Sequence, residues 1–112
     1  MSDCLFCGIA AGDVPADIVV QDDATVVFRD VNPQAPVHLL AIPRQHVASA
    51  AELTDDDAPL LGALFGALRS AAAESGVTSY RLVTNIGPDA GQSVEHLHIH
   101  LLGGRRLRWP PG

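Results

Sequence analysis

The sequence predicts an α+β domain over residues 1–112, built as an antiparallel sheet of about five strands with one long and one short helix. Three observations carry this. Short apolar runs with strand character recur between turn residues. The stretch from Asp55 to Gly76 has the apolar spacing of a helix. The stretch Glu95-His96-Leu97-His98-Ile99-His100-Leu101 alternates strictly between imidazole and aliphatic side chains, the period of a half-buried strand.

In chain order, Leu5 to Ala11 reads as a short helix stopped by Gly12. Ile18-Val19-Val20 and Thr25-Val26-Val27-Phe28 read as two strands, with Gln21-Asp22-Asp23-Ala24 as the hairpin turn. Val37 to Pro43 is a third strand, apolar on both faces and therefore central. Asp55-Asp56-Asp57 opens the long helix, with Asp56 as N-cap and Pro59 in the first turn, where its missing N–H is harmless. Leu60, Leu61, Leu64, Phe65 and Leu68 form its core stripe, and Gly76 ends it. Tyr80 to Ile86 is a fourth strand. The histidine strand is the fifth, with Leu97, Ile99 and Leu101 packed on the long helix. Both helices are expected on one face of the sheet.

Composition narrows the function. A chain of 112 residues with 47% apolar and 18% charged residues can bury a real core as one domain. A net charge of −6 argues against charge-driven binding of nucleic acid but leaves room for a small nucleotide. No stretch approaches the length of a membrane span. The apolar run Leu5–Ala11 is short and follows Asp3 rather than a basic region, so it is not a targeting segment. The expected location is the cytoplasm, with neither membrane nor nucleic acid as partner.

Three of the five histidines, His96, His98 and His100, share one strand face. Side by side they would repel if protonated, so they should stay largely neutral or be shared with a metal or an anion. Two readings follow. Alternate strand residues lie about 6.7 Å apart and the outer pair about 13 Å, so two of the three can share a zinc but all three cannot do so easily. Alternatively the middle histidine is a nucleophile or general base. Gly91-Gln92-Ser93, a small polar turn before the strand, favours the second reading because it can bring N–H groups and a hydroxyl toward an anion.

Elsewhere the signals are weaker. Cys4 and Cys7 have the spacing of a metal half-site or a redox pair, and two ordinary buried thiols are a fair alternative. Asp30 suits a turn, or a bidentate grip on a ribose diol. His38 reads as a satisfied core histidine and His46 as a surface residue. Asn85 either caps a turn or reaches a ligand.

The segment Gly91 to Leu102 resembles the histidine triad motif, in which three histidines alternate with apolar residues. Asp30, Pro33, Pro36, the His38 strand and Asn85 fall in that family's order, and the tail from Leu102-Gly103-Gly104-Arg105 to Trp109-Pro110-Pro111-Gly112 resembles the Hint branch. The resemblance covers essentially the whole chain. It implies a hydrolase acting on purine nucleoside phosphoramidates through a covalent nucleotidyl-histidine, with His98 as nucleophile. His100 and Ser93 would stabilise the phosphate oxygens, and His38 would support the nucleophile. Asp30 would bind the ribose and Val31 the purine, while Asn85, Gly91 and Gln92 would line the phosphate end. It further implies a homodimer and a closed, structural zinc site of Cys4, Cys7, His46 and His96. Alternatives of the same fold are a dinucleoside polyphosphate hydrolase and a non-catalytic nucleotide-binding protein. A metallohydrolase with zinc on two triad histidines is a third.

Overall fold

A computed structural model describes residues 4–112; Asp3, expected to precede the first helix, lies outside them. The sheet is antiparallel and five-stranded. It comprises β1 (Ile18–Gln21), β2 (Thr25–Arg29), β3 (Val37–Pro43), β4 (Tyr80–Val83) and β5 (Ile99–Gly103), in the order β1-β2-β3-β5-β4. The helices are α1 (Leu5–Ala11) and α2 (Ala58–Glu74). Each ends where a glycine takes a left-handed conformation that other residues resist: Gly12 at φ 82° and Gly76 at φ 72°.

The two helices lie on opposite faces, not on one. Leu64, Ala67, Leu68, Ala71 and Ala72 of α2 pack with Val27, Leu39, Ala41, Leu97, Ile99 and Leu101. Phe6, Ile9 and Ala10 of α1 pack with Val26, Phe28, Leu40 and Ile42. Strand periodicity accounts for the division, because neighbouring residues of β2 and β3 point to opposite faces. The aliphatic side of the histidine segment meets α2 as expected. Its imidazole side faces α1.

Three further details depart from the sequence reading. Asp56 is not the N-cap of the long helix. A 3₁₀ turn over Asp55–Asp57 precedes it, and Asp57 Oδ2 accepts from the Thr54 N–H at 2.9 Å, closing a capping box. Phe65 does not belong to the core stripe; it is 43% exposed. The fourth strand stops at Val83, opposite His100, and not at Ile86. Beyond it Thr84 Oγ1 donates to His98 O at 2.8 Å, so a side chain replaces the next rung of the ladder.

Candidate active site and metal centre

The histidine segment is regular strand only from Ile99 onward. His96, Leu97 and His98 run ahead of it, and the Leu97 N–H donates to Val47 O at 2.6 Å. Outside the ladder, the carbonyl of His96 accepts a side chain instead of a strand partner. His98 Nδ1 lies 2.7 Å from it. A carbonyl only accepts, so Nδ1 carries the proton and Nε2 keeps its lone pair. His98 is 5% exposed and lines a cavity of about 260 Å³ with Leu5, Phe6, Ile9, Phe28, Asp30, Val31, Leu40, Ser93, Val94 and His100.

His100 has the opposite tautomer, set from further away. The backbone N–H of Gln34 donates to His38 Nδ1 at 3.0 Å. A neutral His38 therefore carries its proton on Nε2, which lies 2.9 Å from His100 Nδ1 and 3.4 Å from Asp30 Oδ2. His100 Nδ1 accepts, leaving an N–H on Nε2 (a donor available to an anion). Burial, reinforced by His98 and His38 and opposed by Asp30, pushes the His100 pKa down to about 4. Burial likewise lowers that of His38, against the pull of Asp30. Both rings are neutral near pH 7, as three crowded imidazoles require.

The other expected site residues divide into those that line the cavity and those that shape it. Asp30 and Val31 line it, and Val31 is fully exposed at its rim. Asp30 is also the turn former suggested by sequence: its Oδ1 accepts from the Asn32 N–H at 2.8 Å. Ser93 reaches the cavity. Asn85, Gly91 and Gln92 do not line it; they brace the loop that delivers Ser93. Gln92 Oε1 accepts from the Gly87 N–H, its Nε2 donates to Ala48 O and Val94 O, and Asn85 Nδ2 donates to Ala90 O at 2.7 Å.

Sequence reasoning missed Phe6, Thr84 and the Gln34 N–H. Phe6 meets the His98 ring edge-on at 5.1 Å and the His96 ring at 6.1 Å. Its position between two cysteines on an amphipathic turn was the available signal. Neither a threonine after a strand nor a backbone amide carries one.

His96 is fully buried and does not line the cavity. Its Nε2 donates to Pro43 O at 2.9 Å, which leaves the Nδ1 lone pair for other partners. That atom lies 3.3 Å from Cys4 Sγ, 3.4 Å from Cys7 Sγ and 3.2 Å from His46 Nδ1, and Cys7 Sγ is 3.2 Å from His46 Nδ1. In a tetrahedron with zinc–nitrogen and zinc–sulfur bonds of ordinary length, the N···N and N···S edges measure about 3.3–3.6 Å. The donor chemistry and spacing therefore fit a Cys₂His₂ metal centre with no open position. Its four ligands would come from the start of α1, the loop after β3 and the segment before β5. A second cleft, lined by Cys4, Leu5, His46, Ser93, Val94 and Glu95, shares Leu5, Ser93 and Val94 with the histidine cavity.

Comparison with known proteins agrees with this fold. The family model described as "Scavenger mRNA decapping enzyme C-term binding" matches residues 3–106. An uncharacterized HIT-like protein of Synechococcus elongatus is 53% identical over 111 residues, covering 98% of this chain and 97% of the relative. The crystal structure of a HIT family hydrolase from Legionella pneumophila superposes with a TM-score of 0.95 at 46% identity, covering 98% of this chain and 100% of that one. A histidine triad protein from Clostridium difficile gives 0.92 at 37% identity, with 96% of each chain covered. No described helix is long and apolar enough to cross a membrane. The motif, the five-stranded sheet and the near-complete matches converge: the chain belongs to the histidine triad family.

Proposed function

We propose that the protein hydrolyses the P–N bond of purine nucleoside 5′-phosphoramidates through a nucleotidyl-histidine intermediate. The carrying observation is the His98 tautomer. The His96 carbonyl holds the proton on Nδ1, which frees the Nε2 lone pair of a ring that lines the cavity. That lone pair attacks the α-phosphorus. The P–N bond breaks, and the departing nitrogen takes up one proton from solvent, relayed by the Ser93 hydroxyl. Charge building on the phosphate oxygens meets the Nε2–H of His100. Water then attacks phosphorus and returns one proton to solvent, the bond to His98 breaks with its electron pair going back to Nε2, and the nucleoside monophosphate leaves. Asp30 suits the ribose hydroxyls and Val31 with the apolar wall suits the base. The reading includes a homodimer joined at sheet edges, checked by sedimentation, and a location in the cytoplasm.

Intact-protein mass spectrometry on quenched turnover of an adenosine phosphoramidate tests the mechanism. An adduct of the mass of AMP is expected on the wild-type chain and absent from His98→Ala. Turnover of a diadenosine polyphosphate with no turnover of the phosphoramidate would reassign the substrate. Nucleotide binding without turnover of either would make the protein a binder.

A further inference from the structure

Residue 96 belongs to both centres. Its side chain presents Nδ1 to Cys4, Cys7 and His46, and its carbonyl holds the nucleophile's Nδ1 proton at 2.7 Å. A second connection runs through α1. Cys4 caps that helix, its Sγ accepting from the Cys7 N–H at 3.2 Å. Between the two cysteines, Phe6 sets its edge against His98 and His96 together. Fixing the four ligand atoms thus fixes two things about His98: the acceptor behind its ring and the aromatic wall beside it.

We infer that Cys4, Cys7, His46 and His96 form a positioning centre for His98, beyond joining α1 to the sheet, so that metal occupancy sets the orientation of the nucleophilic imidazole. This rests on the proposed role of His98. His96 is the essential link. Its ring is held by Pro43 O on one side and by the ligand set on the other, so its carbonyl has little freedom to turn while the set is closed. With the set open, α1 keeps its apolar contacts to the sheet, but the two ends of the imidazole cradle lose their common anchor. None of the four ligands lines the histidine cavity; of the stretch from Cys4 to Cys7 only Leu5 and Phe6 reach it, so the effect falls on orientation more than on binding.

The experiment compares the zinc-loaded protein, the chelated protein and Cys7→Ser, each shown to be folded by circular dichroism. Cys7→His, which restores a nitrogen ligand, serves as rescue. The main readout is the imidazole ¹⁵N–¹H spectrum of His98, which needs no substrate. In the zinc-loaded protein a protected Nδ1–H signal is expected. In the folded chelated protein and in Cys7→Ser that proton should exchange at least about tenfold faster, with Cys7→His restoring protection. On a phosphoramidate, kcat should fall about tenfold or more with a smaller change in KM. An unchanged Nδ1–H signal in folded, metal-free protein would overturn the inference and leave the centre a staple. Failure to take up zinc would overturn it too. Should no phosphoramidate be turned over, the proposed substrate falls, while the spectrum still decides the coupling.

Discussion

On β3, Leu39 and Ala41 turn toward α2 while His38, Leu40 and Ile42 turn toward α1. The α2 side is built on aliphatic side chains, and Leu39, Leu64, Leu68 and Leu101 are fully buried there. The α1 side buries His38, His96 and His98, each joined to a backbone group: the Gln34 N–H, Pro43 O and His96 O. Imidazoles can be buried because the backbone satisfies one nitrogen of each, and the same bond decides what the other nitrogen does. One face thus supplies apolar burial, and the other uses hydrogen bonds to set imidazole tautomers.

The sharpest way to break this division is to strike each face alone. His98→Ala should lower kcat/KM on a phosphoramidate by at least about 10⁴-fold with little change in the urea midpoint. Leu68→Ala, on the other face, should lower stability by about 2–5 kcal/mol in urea titrations, while the folded fraction keeps its turnover. His38→Ala should act on the site again. Without its Nε2–H, His100 no longer has a fixed tautomer, and kcat should drop about 10- to 100-fold with a smaller change in KM.

Acid should separate the faces more gently. The folded-state pKa of His100 is lowered from 6.5 to about 4, and those of His38 and His96 are also lowered. The unfolded chain therefore binds these protons first, and their contribution to stability, complete above pH 6.5, is lost as pH falls toward 4. Urea midpoints at about pH 7.5 and about pH 5 should show the decline, and it should shrink in His100→Phe. The smallest effect is expected from Arg44→Ala. Arg44 joins Ala10 O at the end of α1 to Asp22 O and Gln21 Oε1 of the hairpin. Removing it should cost about 1 kcal/mol, measured by the same titration.

Much of this was legible in the sequence because period and punctuation are local. The bounds of α1 and β3 follow from Gly12 and from the turn residues around Val37–Pro43. The spacing of His96, His98 and His100 put three imidazoles on one side of the segment, the side that faces α1. What escaped depends on how the chain packs in three dimensions. Seven residues of helix with Phe6, Ile9 and Ala10 buried do not say which face of a sheet they cover. Phe65 fits a helical stripe by spacing, yet the sheet is already filled by Leu64 and Leu68. Thr84 and the Gln34 N–H act on residues 14 and 4 positions away through geometry that no motif encodes. Asn85, Gly91 and Gln92 precede the histidine segment in sequence, but their hydrogen bonds brace their own loop and, through Gln92, tie it to Ala48 after β3.

The amide of Gln34 also limits what a neighbouring cluster can offer an ion. Asp30, His38 and His100 place three atoms of metal-ligating type within 4.8 Å of one another, the same criterion that the cysteine cluster meets. Yet the lone pair of His38 Nδ1 is already taken by that amide, so Nε2 presents a proton to any ion that enters. Turning the tautomer over would set Nδ1–H against the Gln34 N–H, losing a hydrogen bond and leaving a donor unmet, about 1–3 kcal/mol against the intruder. The two clusters thus offer an incoming ion different atoms: thiols and imidazole lone pairs at one, and a carboxylate flanked by imidazole N–H groups at the other.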